Sequence, residues 1–269
     1  MKKVNFIKYS ATGNDFILID NRQNQVKAED HPLWQHLCER KNGIGADGVL
    51  LVEKSNSTGA QFRMRYLNAD GGEVEMCGNG GRTICYYAYT ELGHDKKEKV
   101  RFQTKNGLYV ARWDLTERQV HLRMAELYDI GKIDLSDFPG FKNALYLNTG
   151  VPHAIFEVDN IETFPVVECG RAIRHDPRFA GGTNASFFQM VNSNEICLRT
   201  YERGVEDETL ACGTGATAAA IMVAKTYGAK VGVTVRMKGG TLSVQFDEDF
   251  REIYLCGKVE KIFSGKLEI

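Results

Sequence analysis

The sequence carries almost no net charge: 34 lysines and arginines stand against 35 aspartates and glutamates in 269 residues. Bulk attraction to nucleic acid or to an anionic membrane surface is therefore not expected. No apolar run approaches the roughly 20 residues of a membrane span. The opening MKKVNFIKYS has no apolar core and no small-residue cleavage site, so no signal peptide is read there. The chain has no C-x-x-C and no H-E-x-x-H, and its six histidines are scattered, which leaves a metal site little support. Seven cysteines without an export signal argue for reduced thiols and against a disulfide framework. No phosphate loop of the form G-x-x-x-x-G-K-[ST] occurs. Together these absences point to a cytoplasmic globular protein with no nucleic acid or membrane partner.

What is present is a hydrophobic content of 43%, enough for a sizeable core, and an internal repeat. YLNADGGEVEMCGNG (66–80) aligns with YERGVEDETLACGTG (201–215) at an offset of 135, with Tyr66/Tyr201, Glu73/Glu208, Cys77/Cys212, Gly78/Gly213 and Gly80/Gly215 identical. VRFQTKNGLYV (100–110) resembles VTVRMKGGTLSV (233–244), and YSATGNDFILID (9–20) resembles YLNTGVPHAIFEV (146–158). Three matched segments in one order imply two halves of common ancestry.

Strands are expected in the first half over FILID, GVLLVE, QFRMRYLN and RFQTKNGLYVARW. In the second they are expected over ALYLN, HAIFEV, ASFFQMV, EICLRTYE and VGVTVRM. Helices are expected over 32–40, about 80–92 and 214–227, the last rich in alanine and closed by Gly228. The fold class is then α+β, two similar halves from internal duplication, each a curved, mostly antiparallel sheet around a central helix. The halves are placed at 1–118 and 119–260, with a final strand at about 261–269 returning to the first, and the active site in the cleft between them.

A literal G-x-G-x-x-G at Gly43, Gly45 and Gly48 has a helix before it and a strand after, the reverse of the dinucleotide order. CGTGATA is preceded by an acidic, turn-like segment and is also rejected as a nucleotide site. What remains is Cys-Gly-x-Gly at a helix start, twice. The first amides of a helix lack internal partners and carry the positive end of its dipole. Glycines let an anion approach them, and the same position lowers a thiol's pKa. Each half thus offers a carboxylate cradle beside an activated sulfur. Two thiols on opposite faces of one carbon could remove a proton from one side and return one to the other, inverting the centre. A thiol redox switch or a non-enzymatic ligand-binding module remain as other uses of the pair.

These residues resemble the diaminopimelate epimerase family, amino-acid epimerases that work without pyridoxal phosphate. NADGGEVEMCGNGGR (68–82) resembles the signature around its first catalytic cysteine and YERGVEDETLACGTGA (201–216) the second, with TGNDF (12–16) and GVPHA (150–154) in their expected places. The related proline racemase group has a histidine in the first motif, where this chain has Asn79. The resemblance implies cofactor-free conversion of LL-diaminopimelate to the meso form, for lysine and peptidoglycan, by a homodimer. It implies Cys77 and Cys212 as base and acid, with His153 and Glu202 as their polar partners. It places the substrate α-carboxylate on the amides of Gly78, Asn79, Gly213 and Thr214. The remaining amine and carboxylate groups fall to Asn14, Asn68, Asn184 and Arg203. Another racemase of the superfamily, of the proline racemase type, is the nearest alternative. Two positions depart from the family pattern: Gly48 where many members carry Gln, and Val151 where Asn is frequent, so that other groups such as Asn148 would serve there.

Overall fold

The computed structural model describes residues 2–269 and divides into two compact units, one running up to Leu122 and joined by Gly257–Ile269, the other Arg123–Cys256.

The first unit opens with β1 (Lys3–Ala11), whose alternate burial follows the alternation of its sequence, and β2 (Asn14–Asp20). Helix α1 (His31–Cys38) starts with the Asp30 carboxylate accepting from Leu33 N at 3.3 Å and has proline in its first turn. Then come β3 (Gly48–Glu53), β4 (Phe62–Asn68), the short β5 (Glu73–Val74), helix α2 (Gly78–Thr90), β6 (Val100–Thr104), β7 (Gly107–Asp114) and β8 (Gln119–Arg123). β1 pairs antiparallel with β2, β2 parallel with β3, and β3 antiparallel with β4. β4 pairs antiparallel with β5 and parallel with β6, and β6–β7–β8 runs as antiparallel neighbours.

The second unit repeats this plan: β9 (Tyr128–Lys132), β10 (Ala144–Asn148), β11 (Pro152–Glu157), α3 (Val166–Arg174), β12 (Asn184–Asn192), β13 (Glu195–Glu202), β14 (Asp207–Thr209), α4 (Gly213–Tyr227), β15 (Gly232–Met237), β16 (Gly240–Phe246) and β17 (Ile253–Gly257). Its pairings have the same senses in the same order, β10–β11 antiparallel, β11–β12 parallel, β12–β13 antiparallel, β13–β15 parallel, then antiparallel to β17. The terminal strand β18 (Glu260–Glu268) lies antiparallel to β1, as β9 lies against β10. Each sheet is mixed but mostly antiparallel, and each contains one long helix that is buried over most of its length. In α4 alanines at 216, 218, 219, 220 and 224 bring the helix close to the strands, and Ile221 and Val223 fill what remains. Each such aliphatic side chain contributes about 1.5–3 kcal/mol on full burial.

One sequence expectation changes. The segment VVECGRAIR forms helix α3, which the strand-dominated reading left out. Its Gly170 lies where an added Cβ would come 2.4 Å from Tyr201 Cβ, so a residue that weakens helices is the one that lets this helix lie on β13. Glu73 and Glu208, matched across the repeat, hold matching places on β5 and β14. Glu73 pairs with Arg63 at 3.2 Å, and Glu208 with Arg199 at 2.6 Å and Lys238 at 2.9 Å, as charge pairs on the sheet surface.

Candidate active site

Helix α2 begins at a cysteine. Cys77 is extended (φ −135°, ψ 123°) and its Sγ accepts from Gly80 N at 3.4 Å, so the thiol occupies the place a serine hydroxyl takes at an ordinary helix start. Gly81 N bonds Cys77 O at 2.8 Å. The amides of Gly78 and Asn79 have no partner among the described residues and remain as donors at the positive helix end. The Asn79 side chain is buried and its Nδ2 donates to Asn14 Oδ1 at 2.7 Å, bringing two predicted site residues together. Among the described residues no hydrogen bond joins Asn68 to them. It is exposed at the end of β4, where its backbone closes the 68–72 turn through Asn68 N to Gly72 O and Gly71 N to Asn68 O, both 2.9 Å.

In the second unit α4 begins the same way. Cys212 is extended (φ −126°, ψ 110°), Gly215 N donates to its Sγ at 3.4 Å, and Ala216 N bonds Cys212 O at 2.8 Å, which leaves the Gly213 and Thr214 amides as donors. The side chains around it differ from those at Cys77. Thr214 Oγ1 lies 3.4 Å from Cys212 Sγ and 3.0 Å from His153 Nε2, and His153 Nδ1 lies 3.2 Å from Ser186 Oγ. Ser186 Oγ is 3.1 Å from Thr200 Oγ1, and Thr149 Oγ1 donates to Thr214 O at 3.2 Å. His153 is fully buried, and burial first, then the charge of Arg203, lowers its pKa to about 3, so the imidazole is neutral. The Glu202 carboxyl accepts from Thr209 Oγ1 and hydrogen-bonds Cys212, and its pKa is raised because burial outweighs those bonds.

The helix end was expected to lower the thiol pKa, and at Cys212 the opposite holds. Only 6% of Cys212 is exposed. Burial first and the neighbouring Glu202 charge second push its thiol well above the ordinary value, and the bonds from Thr214 and the Gly215 amide do not compensate. Glu202 and Arg203, adjacent in the chain, have separate partners. Arg203 donates from its guanidinium to Gly181 O at 3.1 Å and Gly182 O at 3.2 Å, while its backbone N bonds Asn184 Oδ1 at 2.8 Å. Asn184 Nδ2 in turn donates to Pro152 O at 3.0 Å, tying the residue to the strand that carries His153.

The family model for diaminopimelate epimerase matches residues 6–132 and 145–262. A protein of that name from Flavobacterium psychrophilum is 39% identical over 96% of this chain and 97% of its own length, and one from Chlorobaculum tepidum is 40% identical over 97% and 100%. The chain belongs to the diaminopimelate epimerase family. Among solved structures, a Bacillus anthracis phenazine biosynthesis protein of the PhzF family covers all of both chains with a TM-score of 0.72 at 17% identity. A probable proline racemase from Agrobacterium radiobacter K84 aligns with 99% of this chain and 93% of its own at 0.70 and 14%. These two show a shared fold.

One of the two departures from the family motifs, Gly48, has a steric cause. A Cβ on Gly48 would meet Leu67 O at 2.4 Å and Tyr66 Cε2 at 2.5 Å, so no side chain fits there, and the Tyr66 ring packs edge-on to Phe16 in that space. Val151 stands in the turn between β10 and β11, its carbonyl accepting from Thr149 N at 3.2 Å. Asn148 Oδ1 accepts from Gly150 N at 3.0 Å, which leaves its Nδ2 as a donor. Ser186, Thr149 and Thr200 were visible in the sequence only as small polar residues, and the Thr214 amide was expected at the site but not its hydroxyl between Cys212 and His153. Thr214 alone had a signal, its place as second residue of a cysteine-started helix.

Proposed function

We propose that this chain is an epimerase that interconverts LL- and meso-diaminopimelate without a cofactor, with Cys77 and Cys212 exchanging protons with the two faces of one α-carbon. The observation that carries the reading is the duplicated helix start: in each unit a cysteine sulfur caps a helix whose first two amides are bare donors next to glycines. Proton abstraction beside a carboxylate is slow because charge builds on the carboxylate in the transition state. Donors fixed in advance at both helix ends act on that charge without reorganising. Gly78 and Asn79 from one helix and Gly213 and Thr214 from the other are the proposed cradle.

In the resting form Cys212 is the protonated partner, since burial and the Glu202 carboxylate both disfavour its thiolate. Cys77 Sγ then takes the α-proton as a thiolate, forming its S–H, while Cys212 gives its proton to the opposite face and becomes the thiolate. The reverse direction exchanges the roles, and the two sulfurs titrate as a pair. Neutral His153 holds Thr214, and Thr214 holds Cys212; Glu202 takes up the Cys212 S–H. Asn14, Asn68, Asn184 and Arg203 are assigned to the remaining amine and carboxylate groups. The protein is read as a cytoplasmic homodimer serving lysine and peptidoglycan supply. Ile262 and Phe263 on β18, 52% and 46% exposed, offer a second copy an apolar surface.

The test is incubation of the reduced protein with either isomer in deuterium oxide. One deuteron should enter the α-position with inversion, with no added metal or pyridoxal phosphate. Recovery of both isomers unlabelled would end the proposal. A ligand-binding module would bind diaminopimelate and leave it unlabelled.

A further inference from the structure

Four side chains of the first unit form a line whose two ends are chemically unambiguous. Arg82, fully buried in α2, donates from Nη2 to Asn79 Oδ1 and to Thr12 Oγ1 at 3.3 Å, and from Nη1 to Lys258 O at 3.4 Å. Asn79 Nδ2 donates to Asn14 Oδ1 at 2.7 Å and to Thr12 O at 3.4 Å. Asn14 Nδ2 donates to Asp47 Oδ2 at 3.0 Å. Asp47 is itself held, its Oδ1 by Arg40 Nη2 at 2.7 Å and its Oδ2 by Asp15 N at 3.1 Å.

A carboxamide has one accepting and one donating end and can turn over at little cost in isolation. A guanidinium can only donate, and an ionised carboxylate can only accept. With Arg82 at one end and Asp47 at the other, turning either amide over sets two donors or two acceptors against each other. Turning both over creates a clash at each end. The line therefore has one sense, set by its ends and not by the asparagines. We propose that Arg82 and Asp47 are positioning residues that fix the donor direction of Asn14 and Asn79, so that the second Nδ2 proton of Asn14 is held out as a donor for an acceptor group of the substrate, a carboxylate and not an ammonium. This rests on the reading above that Asn14 and Asn79 bind substrate.

The second unit has no such polarity at the matching place. There the second helix residue is Thr214, whose hydroxyl rotates, and its partner His153 has two tautomers. One half presents a fixed donor, and the other can give or take.

The experiment compares Asp47→Asn, Arg82→Lys and Arg82→Gln, after the wild type has been shown to turn over diaminopimelate. Asp47→Asn puts an amide that can also donate at the accepting end. Its KM should rise about tenfold, the loss of roughly one oriented hydrogen bond, with kcat within about threefold. Lysine keeps a donor-only end, so Arg82→Lys should stay near wild type while Arg82→Gln shifts KM as Asp47→Asn does. In parallel, the side-chain NH2 signals of asparagine-labelled protein without ligand report the line directly. Solvent exchange of the Asn14 and Asn79 amide protons should be slow in the wild type and about tenfold faster in Asp47→Asn. A KM within twofold of wild type together with unchanged exchange in Asp47→Asn overturns the proposal. Equal impairment of the lysine and glutamine variants removes Arg82 from it. If the Arg82 variants do not fold, Asp47→Asn still decides. If wild type has no turnover, the epimerase reading fails, and the exchange measurement still tests the line.

Discussion

The two units build their reactive ends on the same backbone and surround them with opposite chemistry. Both start a helix at an extended cysteine and both leave two amides bare. At Cys77 the second helix residue is an asparagine, held between a buried cation and another amide. At Cys212 it is a threonine, held between the thiol and a buried neutral histidine, with a buried carboxyl on the sulfur. Duplication supplied identical caps, and divergence of the neighbouring side chains made one sulfur enclosed and reluctant to ionise and left the other half-exposed. A reaction that needs one acid and one base at the same moment is served by that inequality.

The comparison can be broken at the thiols first. Brief treatment with iodoacetamide, followed by peptide mass mapping, should label Cys77 at least about 100-fold faster than Cys212, because alkylation needs an accessible thiolate. Similar rates at the two sites would mean that the units do not differ as described.

A second probe is His153→Gln. With a native pKa near 3 against 6.5 when unfolded, His153 takes up a proton on unfolding at any pH between those values. The unfolded state then binds more protons, so stability rises with pH across that window and is lost as pH falls below 6.5. The wild-type melting temperature should fall more steeply from pH 6.5 to 4.5 than that of the variant. Parallel curves would mean that His153 is not held neutral. The variant's kcat should drop by about 10²-fold, in the range seen when a group supporting proton transfer is lost.

The smallest effect separates the glycines at the third helix position. A Cβ at Gly80 would meet Met64 Cε at 3.1 Å and Leu50 Cδ2 at 3.2 Å, both ends of flexible side chains. At Gly215 it would meet Ser186 Oγ and Thr200 Oγ1 at 3.1 Å and His153 Cε1 at 3.2 Å, a hydrogen-bonded set that cannot yield without losing bonds. Gly215→Ala should cost about 1–3 kcal/mol and Gly80→Ala under about 1 kcal/mol, read by urea unfolding. Equal costs would show that the second unit's network is no stiffer than the first's apolar contacts.

Much of this was legible in the chain. The repeat, the cysteine at each helix start and the alanine-rich α4 ending at Gly228, which takes φ 76°, are all written in local spacing and composition. Helix α3 was not legible, because it is short, strand-like neighbours surround it, and Gly170 reads as a breaker until Tyr201 is seen beside it. The raised thiol of Cys212 was not legible either. A helix start by itself argues for a lowered pKa, and only the closing of the surroundings, with the arrival of Glu202 from β13 second, reverses the sign.

What the sequence alone determined is therefore that a cysteine followed by glycines opens each of the two long helices and that the plan occurs twice, since such spacing and periodicity are properties of neighbours along the chain. What the tertiary structure decided is the state of each group: which thiol is enclosed, that His153 is neutral, which way the Asn14 and Asn79 amides point. Those depend on burial and on partners up to 67 residues away, such as Thr12 for Asn79, and desolvation and hydrogen-bond direction exist only once distant strands have come together.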